Sequence, residues 1–330
     1  MINPAYYGHE TQLFGVEEHR LVGGKGDGMR LFEVRNGLGL QFTVSADRCA
    51  DISRLSFAGC NYGFFSANGY VAPSYYDDKG AGWLKSFTAG FLTTVGFLNA
   101  GAPCVDGGVE LPLHGQLANI PAEHIYWEAD AAEIRVHATI RHAGIFAEKL
   151  MLYRTIACSL THNEITITDR IVNMGDAESP LMFLYHMNMG YPLLSETAEL
   201  KIPSVAVEPR NERAAEDIGT WNVMLPPQPC FEEQCYFHTF RKKGLAAIFN
   251  PSIDKGLAIR FDADSLDNFT EWKMMGVKDY VLGLEPCNCK LIGRDELHRQ
   301  GKLKFIAPGE EKTYSVKLQI VENKAQWDEI

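Results

Sequence analysis

Along much of this chain apolar and polar residues alternate one by one, and a period of two admits few folds other than β-structure. In Glu133-Ile134-Arg135-Val136-His137-Ala138-Thr139-Ile140-Arg141, the residues Ile134, Val136, Ala138 and Ile140 fall on one face and polar side chains on the other. That is the signature of an antiparallel strand with one face buried and one in water. Glu164 to Thr168, Ser315 to Ile320 and Gly39 to Val44 repeat it. The run Leu181-Met182-Phe183-Leu184-Tyr185 is apolar throughout and predicts a strand buried on both faces. Asn36-Gly37, Asn173-Met174-Gly175-Asp176 and Pro308-Gly309-Glu310-Glu311 supply turns between strands. Helical periodicity is scarce. Leu266 to Met275 is expected to hold a helical turn or two, as is Asp295 to Gln300. Many strands without helical crossovers predict an all-β, large antiparallel sandwich with few short helices.

No Ser/Gly/Pro-rich linker divides the 330 residues, so residues 1–330 are read as a single β-sandwich domain. The loop around Pro226-Pro227-Gln228-Pro229 has strands on both sides. A stretch at about 62–108 differs, being rich in Gly, Tyr, Phe and Asn and poor in alternation. Long loop-rich inserts in compact domains are often functional. Its aromatic residues Phe64, Phe65, Tyr75, Tyr76 and Trp83 either stack on a ligand or cover a sheet edge.

The formal charge of -11 argues against nucleic acid and against an anionic membrane surface as partners. No basic stretch followed by an apolar one follows Met1, and no run of about 18 apolar residues occurs. The expected compartment is therefore the cytoplasm, and the eight scattered cysteines are expected to be free thiols. Cys287 and Cys289 lie too close together for the usual zinc spacing, and the acidic tract Asp262 to Asp267 reads as a solvated turn, so no metal site is expected.

Four short stations carry polar chemistry. Asp47-Arg48-Cys49-Ala50-Asp51 follows a strand, where Arg48 suits either a ligand group or an ordinary ion pair. Leu111-Pro112-Leu113-His114-Gly115 presents an imidazole beside a turn-forming glycine. Tyr185-His186-Met187-Asn188 places His186 and Asn188 on one face of a strand. Histidine titrates near neutrality and can give or take a proton. In Leu284-Glu285-Pro286-Cys287-Asn288 a carboxyl ends an apolar strand; burial there raises its pKa towards that of a general base, unless a buried arginine such as Arg48 pairs with it. Asn288 adds a neutral hydrogen-bonding group.

Taken in order, these stations resemble the galactose mutarotase (aldose 1-epimerase) superfamily over about residues 10–320, and in particular a bacterial mutarotase-like subgroup with Asp-Arg, Leu-His-Gly and Leu-Glu-Pro in these positions. The resemblance implies the antiparallel supersandwich fold, with His186 as general acid, Glu285 as general base, and His114 and Arg48 binding substrate. Asn188 and Asn288 are added as substrate-binding candidates on chemistry alone. It implies a small-molecule carbohydrate as partner and no cofactor, because opening a hemiacetal ring needs only an acid and a base. The Asn-Arg dipeptide of typical members is absent near Arg48, and no residue matches their substrate-binding aspartate, so the sugar stays open. Two alternatives stand beside interconversion of anomers. One is an acid–base isomerase or lyase on a modified or acidic sugar, with Arg48, Lys242 and Lys243 facing the anionic group. The other is a carbohydrate-binding protein without catalysis.

Overall fold

The computed structural model describes residues 4–330; Met1 to Asn3, part of the amino-terminal segment read above for an export signal, lie outside them. Three antiparallel sheets dominate. A five-stranded sheet runs from Gly15–Arg20 through Arg30–Arg35, Leu40–Ser45 and Asp51–Phe57 to Cys60–Asn61. The eight-stranded sheet is ordered His124–Ala129, Glu133–Ala143, Lys149–Ser159, Glu164–Asn173, Glu311–Val321, Lys255–Asp262, Lys243–Asn250 and Glu199–Lys201. The six-stranded sheet is ordered Ala206–Pro209, Gln234–Thr239, Asn268–Met275, Tyr280–Cys287, Met182–Met189 and Leu92–Phe97. The α-helices among the described residues are short: Glu212–Glu216, Arg294–Arg299 and Lys324–Asp328. None is long and apolar enough to cross a membrane.

The alternating segments form strands as expected: three lie in the eight-stranded sheet, and Gly39 to Val44 falls on Leu40–Ser45 of the five-stranded one. In Glu133–Ala143 every second residue from Ile134 to His142 is buried. The six-stranded sheet has no such alternation, because both its faces are covered. All eight residues of Met182–Met189 and of Tyr280–Cys287 are buried. Phe183, Tyr185, Met187, Leu282 and Leu284 join the main core with Ile134, Val136, Ile165 and Ile167 of the eight-stranded sheet and Phe32, Val34 and Phe42 of the five-stranded one. On the other face Met182, Leu184, Cys287 and Phe237 pack with Trp83, Phe87 and Leu291.

One prediction is corrected here. Residues 266–275 hold no helical turn; Asn268–Met275 is a strand between two others. Its polar residues Thr270, Glu271 and Lys273 are buried on alternating sides, which hides the period of two. The segment Arg294–Arg299 is helical, as read.

A buried ion cluster fastens the three sheets to one another. Arg154 donates from Nε and Nη2 to both oxygens of Asp169 at 2.8 and 2.7 Å, from Nη1 to Asp51 at 2.6 Å, and from Nη2 to Thr94 at 2.8 Å. Asp51 belongs to the five-stranded sheet, Arg154 and Asp169 to the eight-stranded, and Thr94 to the six-stranded. A buried arginine satisfied this fully fixes geometry, since loss of one partner would strand a charge in the interior.

Candidate active site

Strand register brings the chemistry together. Leu184 pairs with Cys287 and Met187 with Leu284, which sets His186 beside Glu285. Thr93 lies opposite His186 on one flank, and Thr270 opposite Glu285 on the other. Alternation points this row away from the main core, into a cavity of about 550 Å³. Its walls include Trp83, Leu84, Phe87, Trp272, Leu291 and Ile292, and its polar groups come from His114, His186, Arg210, Glu233, Thr270 and Glu285. A mostly apolar hollow with a few converging polar groups is the usual form of a small-molecule site.

His186 Nδ1 and Glu285 Oε1 are 3.2 Å apart. The contact is close but poorly aligned, and neither atom makes a hydrogen bond within the protein; Glu285 Oε2 and Trp83 Nε1 are also unbonded. Burial raises the Glu285 pKa well above the ordinary carboxylate value, opposed by the Arg210 charge. Burial lowers that of His186 to about 4. Burial therefore disfavours the charged form of both groups. Gly283, two residues before Glu285 on the same face, makes the seat: a methyl group there would overlap Glu285 Oε1.

His114 reaches the same cavity by a different route. It sits in the left-handed region at φ 60°, followed by Gly115 at φ 69°. A side chain on Gly115 would meet Gly96 O at 2.6 Å and Asn99 O at 2.7 Å, so only glycine fits. Non-glycine residues held in this region cluster at functional sites. The Gly101 N–H donates to His114 Nδ1 at 3.1 Å, which fixes the neutral tautomer with its proton on Nε2. Burial, assisted by the nearby His186 and Arg210, pushes the His114 pKa down. Its ring lies edge-on to that of His186, 5.7 Å between centroids, and packs against Trp83 at 4.7 Å.

Three of the sequence-predicted site residues, His114, His186 and Glu285, thus line one cavity. The other three lie elsewhere. Arg48 donates to the carbonyls of Ala118, Val71 and Ser86 at 2.7, 2.9 and 3.0 Å. It ties together the loops that carry the cavity wall, beside a hollow of only about 20 Å³. Burial draws its pKa down to about 10, with Asp51 holding it up. It does not pair with Glu285. Asn288 spends its amide on the Phe183 N–H at 2.7 Å, the Leu181 carbonyl at 3.0 Å and the Tyr314 hydroxyl at 2.9 Å. Asn188 shares the face of His186 but is fully buried, donating to the His186 carbonyl at 2.9 Å. Lys242 and Lys243 are exposed and line no part of the cavity.

Sequence reasoning missed Arg210, Glu233, Trp272 and Phe87. Arg210 Nη2 donates to Glu233 Oε1 at 2.6 Å, and Trp272 Nε1 donates to Glu233 Oε2 at 2.7 Å. Arg210 and Glu233 stand just outside strand ends, where nothing in the local pattern marks them. Of the insert's aromatics named above, Trp83 lines the cavity; Phe65 instead packs edge-on against Tyr70.

Comparisons with known proteins agree with this architecture. A family profile described as a domain of unknown function (DUF4432) matches residues 26–320. No curated protein matches the sequence. Among solved structures, a "putative aldose 1-epimerase" from Klebsiella pneumoniae is similar at 25% identity and a TM-score of 0.90, covering 97% of this chain and 88% of its own. A galactose mutarotase-like protein from Clostridium acetobutylicum shares 14% identity at a TM-score of 0.69, covering 94% of this chain and 99% of its own. A galactose 1-epimerase from Lactobacillus acidophilus shares 14% at 0.63, with coverages of 93% and 98%. At 14% identity these last two show the fold alone. The chain belongs to the DUF4432 family and has the galactose mutarotase-like fold.

Proposed function

We propose that this chain is an aldose 1-epimerase-type isomerase, interconverting sugar anomers by acid–base ring opening at His186 and Glu285. The observation that carries the reading is the buried pair itself: two proton-exchanging groups 3.2 Å apart, neither hydrogen-bonded within the protein, facing a cavity with aromatic walls. Buried polar atoms are ordinarily satisfied, and unsatisfied ones converging on a cavity point to an absent partner.

The chemistry needs one proton in circulation. Glu285, as base, accepts the proton of the anomeric hydroxyl. His186, as acid, gives one to the ring oxygen, and the C1–O bond of the ring breaks. The aldehyde turns about the C1–C2 bond and the ring recloses with the roles reversed. For this the proton must first pass from the carboxyl to the imidazole, across a contact short enough for the transfer. Arg210 favours that state, since its charge stabilises the ionised carboxylate. His114 offers an Nε2–H as a fixed donor to a substrate oxygen. Each group acting as acid or base contributes on the order of 100- to 10,000-fold.

Freshly dissolved single anomers, followed by polarimetry or NMR exchange, test the reading. Equilibration is expected to accelerate in proportion to protein concentration. Sugar binding with no acceleration in the native protein would replace this reading with a carbohydrate sensor.

A further inference from the structure

The guanidinium of Arg210 is only partly used. Of its five N–H donors, one bonds to Glu233 Oε1, and no other side-chain hydrogen bond from Arg210 occurs among the described residues. The pairing is not fork-to-fork: Arg210 bonds one oxygen of Glu233, and the Trp272 indole N–H donates to the other. The ion pair is thus held at one point. Glu233 lies at the solvent side, its side chain 45% exposed, whereas Arg210 is 30% exposed. The arginine is close enough to act electrostatically on both Glu285 and His114, so its charge is felt at the floor of the cleft.

Beside it, burial disfavours the charged forms of His114, His186 and Glu285. The remaining walls are aromatic or aliphatic, with Trp83, Phe87, Trp272 and Ile292 among them. Arg210 lines this cavity with guanidinium donors that Glu233 leaves unused. A neutral sugar could accept one or two hydrogen bonds from it; a planar or tetrahedral oxyanion accepts two in parallel and neutralises the charge left over. With a net charge of -11 on the chain as a whole, an anionic ligand also needs a dedicated local cation to be held at all.

We infer that the cleft takes a sugar bearing an anionic oxyacid substituent, a carboxylate, phosphate or sulfonate, and that Arg210 is its specificity-determining residue, held ready by Glu233 and Trp272. The inference rests on the site proposed above but not on the reaction assigned to it. The cavity of about 550 Å³ leaves room for such a substituent beside a sugar ring.

The test is a matched panel in the gluco and galacto series: the neutral hexose, its uronate, its 6-phosphate and its 6-sulfonate analogue. Binding is measured by calorimetry and anomer exchange by NMR. At least one anion is expected to bind about 10-fold or more tighter than its parent hexose, with the preference shrinking as salt rises. Arg210→Gln should weaken that anion about 10-fold more than it weakens the parent hexose. Arg210→Lys, which keeps the charge but not the fork, should retain part of the preference. Equal binding of hexose and all three anions by the native protein would overturn the inference, as would equal weakening of every ligand by Arg210→Gln. The panel also separates the two readings. Selective anion binding without anomer exchange defeats the isomerase proposal and leaves this one standing. Exchange of neutral hexoses with no anion preference does the reverse.

Discussion

Two histidine–glutamate pairs lie on opposite faces of the same six-stranded sheet. His186 and Glu285 face the cavity; His238 and Glu271, on the neighbouring strands Gln234–Thr239 and Asn268–Met275, face the core. The residue types are identical and all four are buried. The difference is in what surrounds them. His238 is bonded through both ring nitrogens, to Ser204 Oγ at 3.0 Å and to Glu271 Oε2 at 3.0 Å, and its ring is capped by Trp221 and Phe269. His186 touches Glu285 without a well-formed bond, and both oxygens of Glu285 are unpaired. In both carboxyls burial raises the pKa, so a perturbed acid alone does not mark a functional site. What marks it is access together with unspent hydrogen-bonding capacity. The core pair keeps one unbonded oxygen, Glu271 Oε1, but does not line the cavity, whereas the other pair opens toward a space a ligand can fill.

The contrast can be broken most directly by neutralising each acid. Glu285→Gln is expected to lower the anomer-exchange rate about 1,000-fold or more with the fold retained by circular dichroism, whereas Glu271→Gln should change it by less than about 3-fold. Loss of activity in both would remove the distinction between the faces. Survival of activity in Glu285→Gln would show that the wrong base has been assigned.

The histidines should separate in the opposite sense when stability is read. His238→Ala leaves Ser204 and Glu271 without their partner in a closed core and is expected to cost about 2–4 kcal/mol in urea unfolding. His186→Ala removes a ring whose Nδ1 has no hydrogen-bond partner, beside an open cavity, and should cost less than His238→Ala, about 1 kcal/mol. Equal costs would mean that the cleft histidine is built into the fold as firmly as the core one.

The pH dependence of stability sharpens the point. Glu285 holds its proton in the folded chain to higher pH than in the unfolded chain. Across that interval the folded state binds more protons, so stability falls as pH rises. Glu285→Gln removes this loss, and its melting temperature should gain on the native protein by a few degrees from pH 5 to pH 8. His186 acts at the acid end. Its folded pKa of about 4 lies below the usual 6.5, so stability is lost as pH falls from 6.5 toward 4, and His186→Ala should flatten that slope. A native curve flat across both ranges would mean that the pair is solvated.

A loss of rate smaller than that of Glu285→Gln is expected at Gly283. Gly283→Ala places a methyl group where Glu285 Oε1 sits and moves the carboxyl rather than neutralising it. A loss of about 10- to 100-fold in kcat is expected from misplacement, with the apparent pKa of the acidic limb shifted. An unchanged kcat would show that the seat is not needed.

How much of this was legible in the sequence follows from which faces meet water. Glu133–Ala143 and Glu164–Asn173 announce themselves because one side of each is solvated. The central strand Asn268–Met275, covered on both sides, carries Thr270, Glu271 and Lys273 inward and so was misread as partly helical. At the site, His186 and Glu285 stood out as polar interruptions of apolar runs. Arg48 and Asn288 were misjudged because a residue that ties up backbone carbonyls looks, in sequence, like one that binds a ligand. Arg210 and Glu233 meet only through strand pairing across the sheet, and no local pattern reports that.

The sheet that is covered on both faces has a practical corollary for protein engineering. Along Met182–Met189 the even-numbered positions point to the cleft side and the odd-numbered positions Phe183, Tyr185, Met187 and Met189 to the core; along Tyr280–Cys287 the parity is reversed. A codon library confined to cleft-side parity therefore explores new ligand preferences while leaving the main core untouched, provided Met182, Leu184 and Cys287, which pack in the second hydrophobic cluster, are held fixed. The complementary library would tune thermal tolerance with the reaction centre held constant.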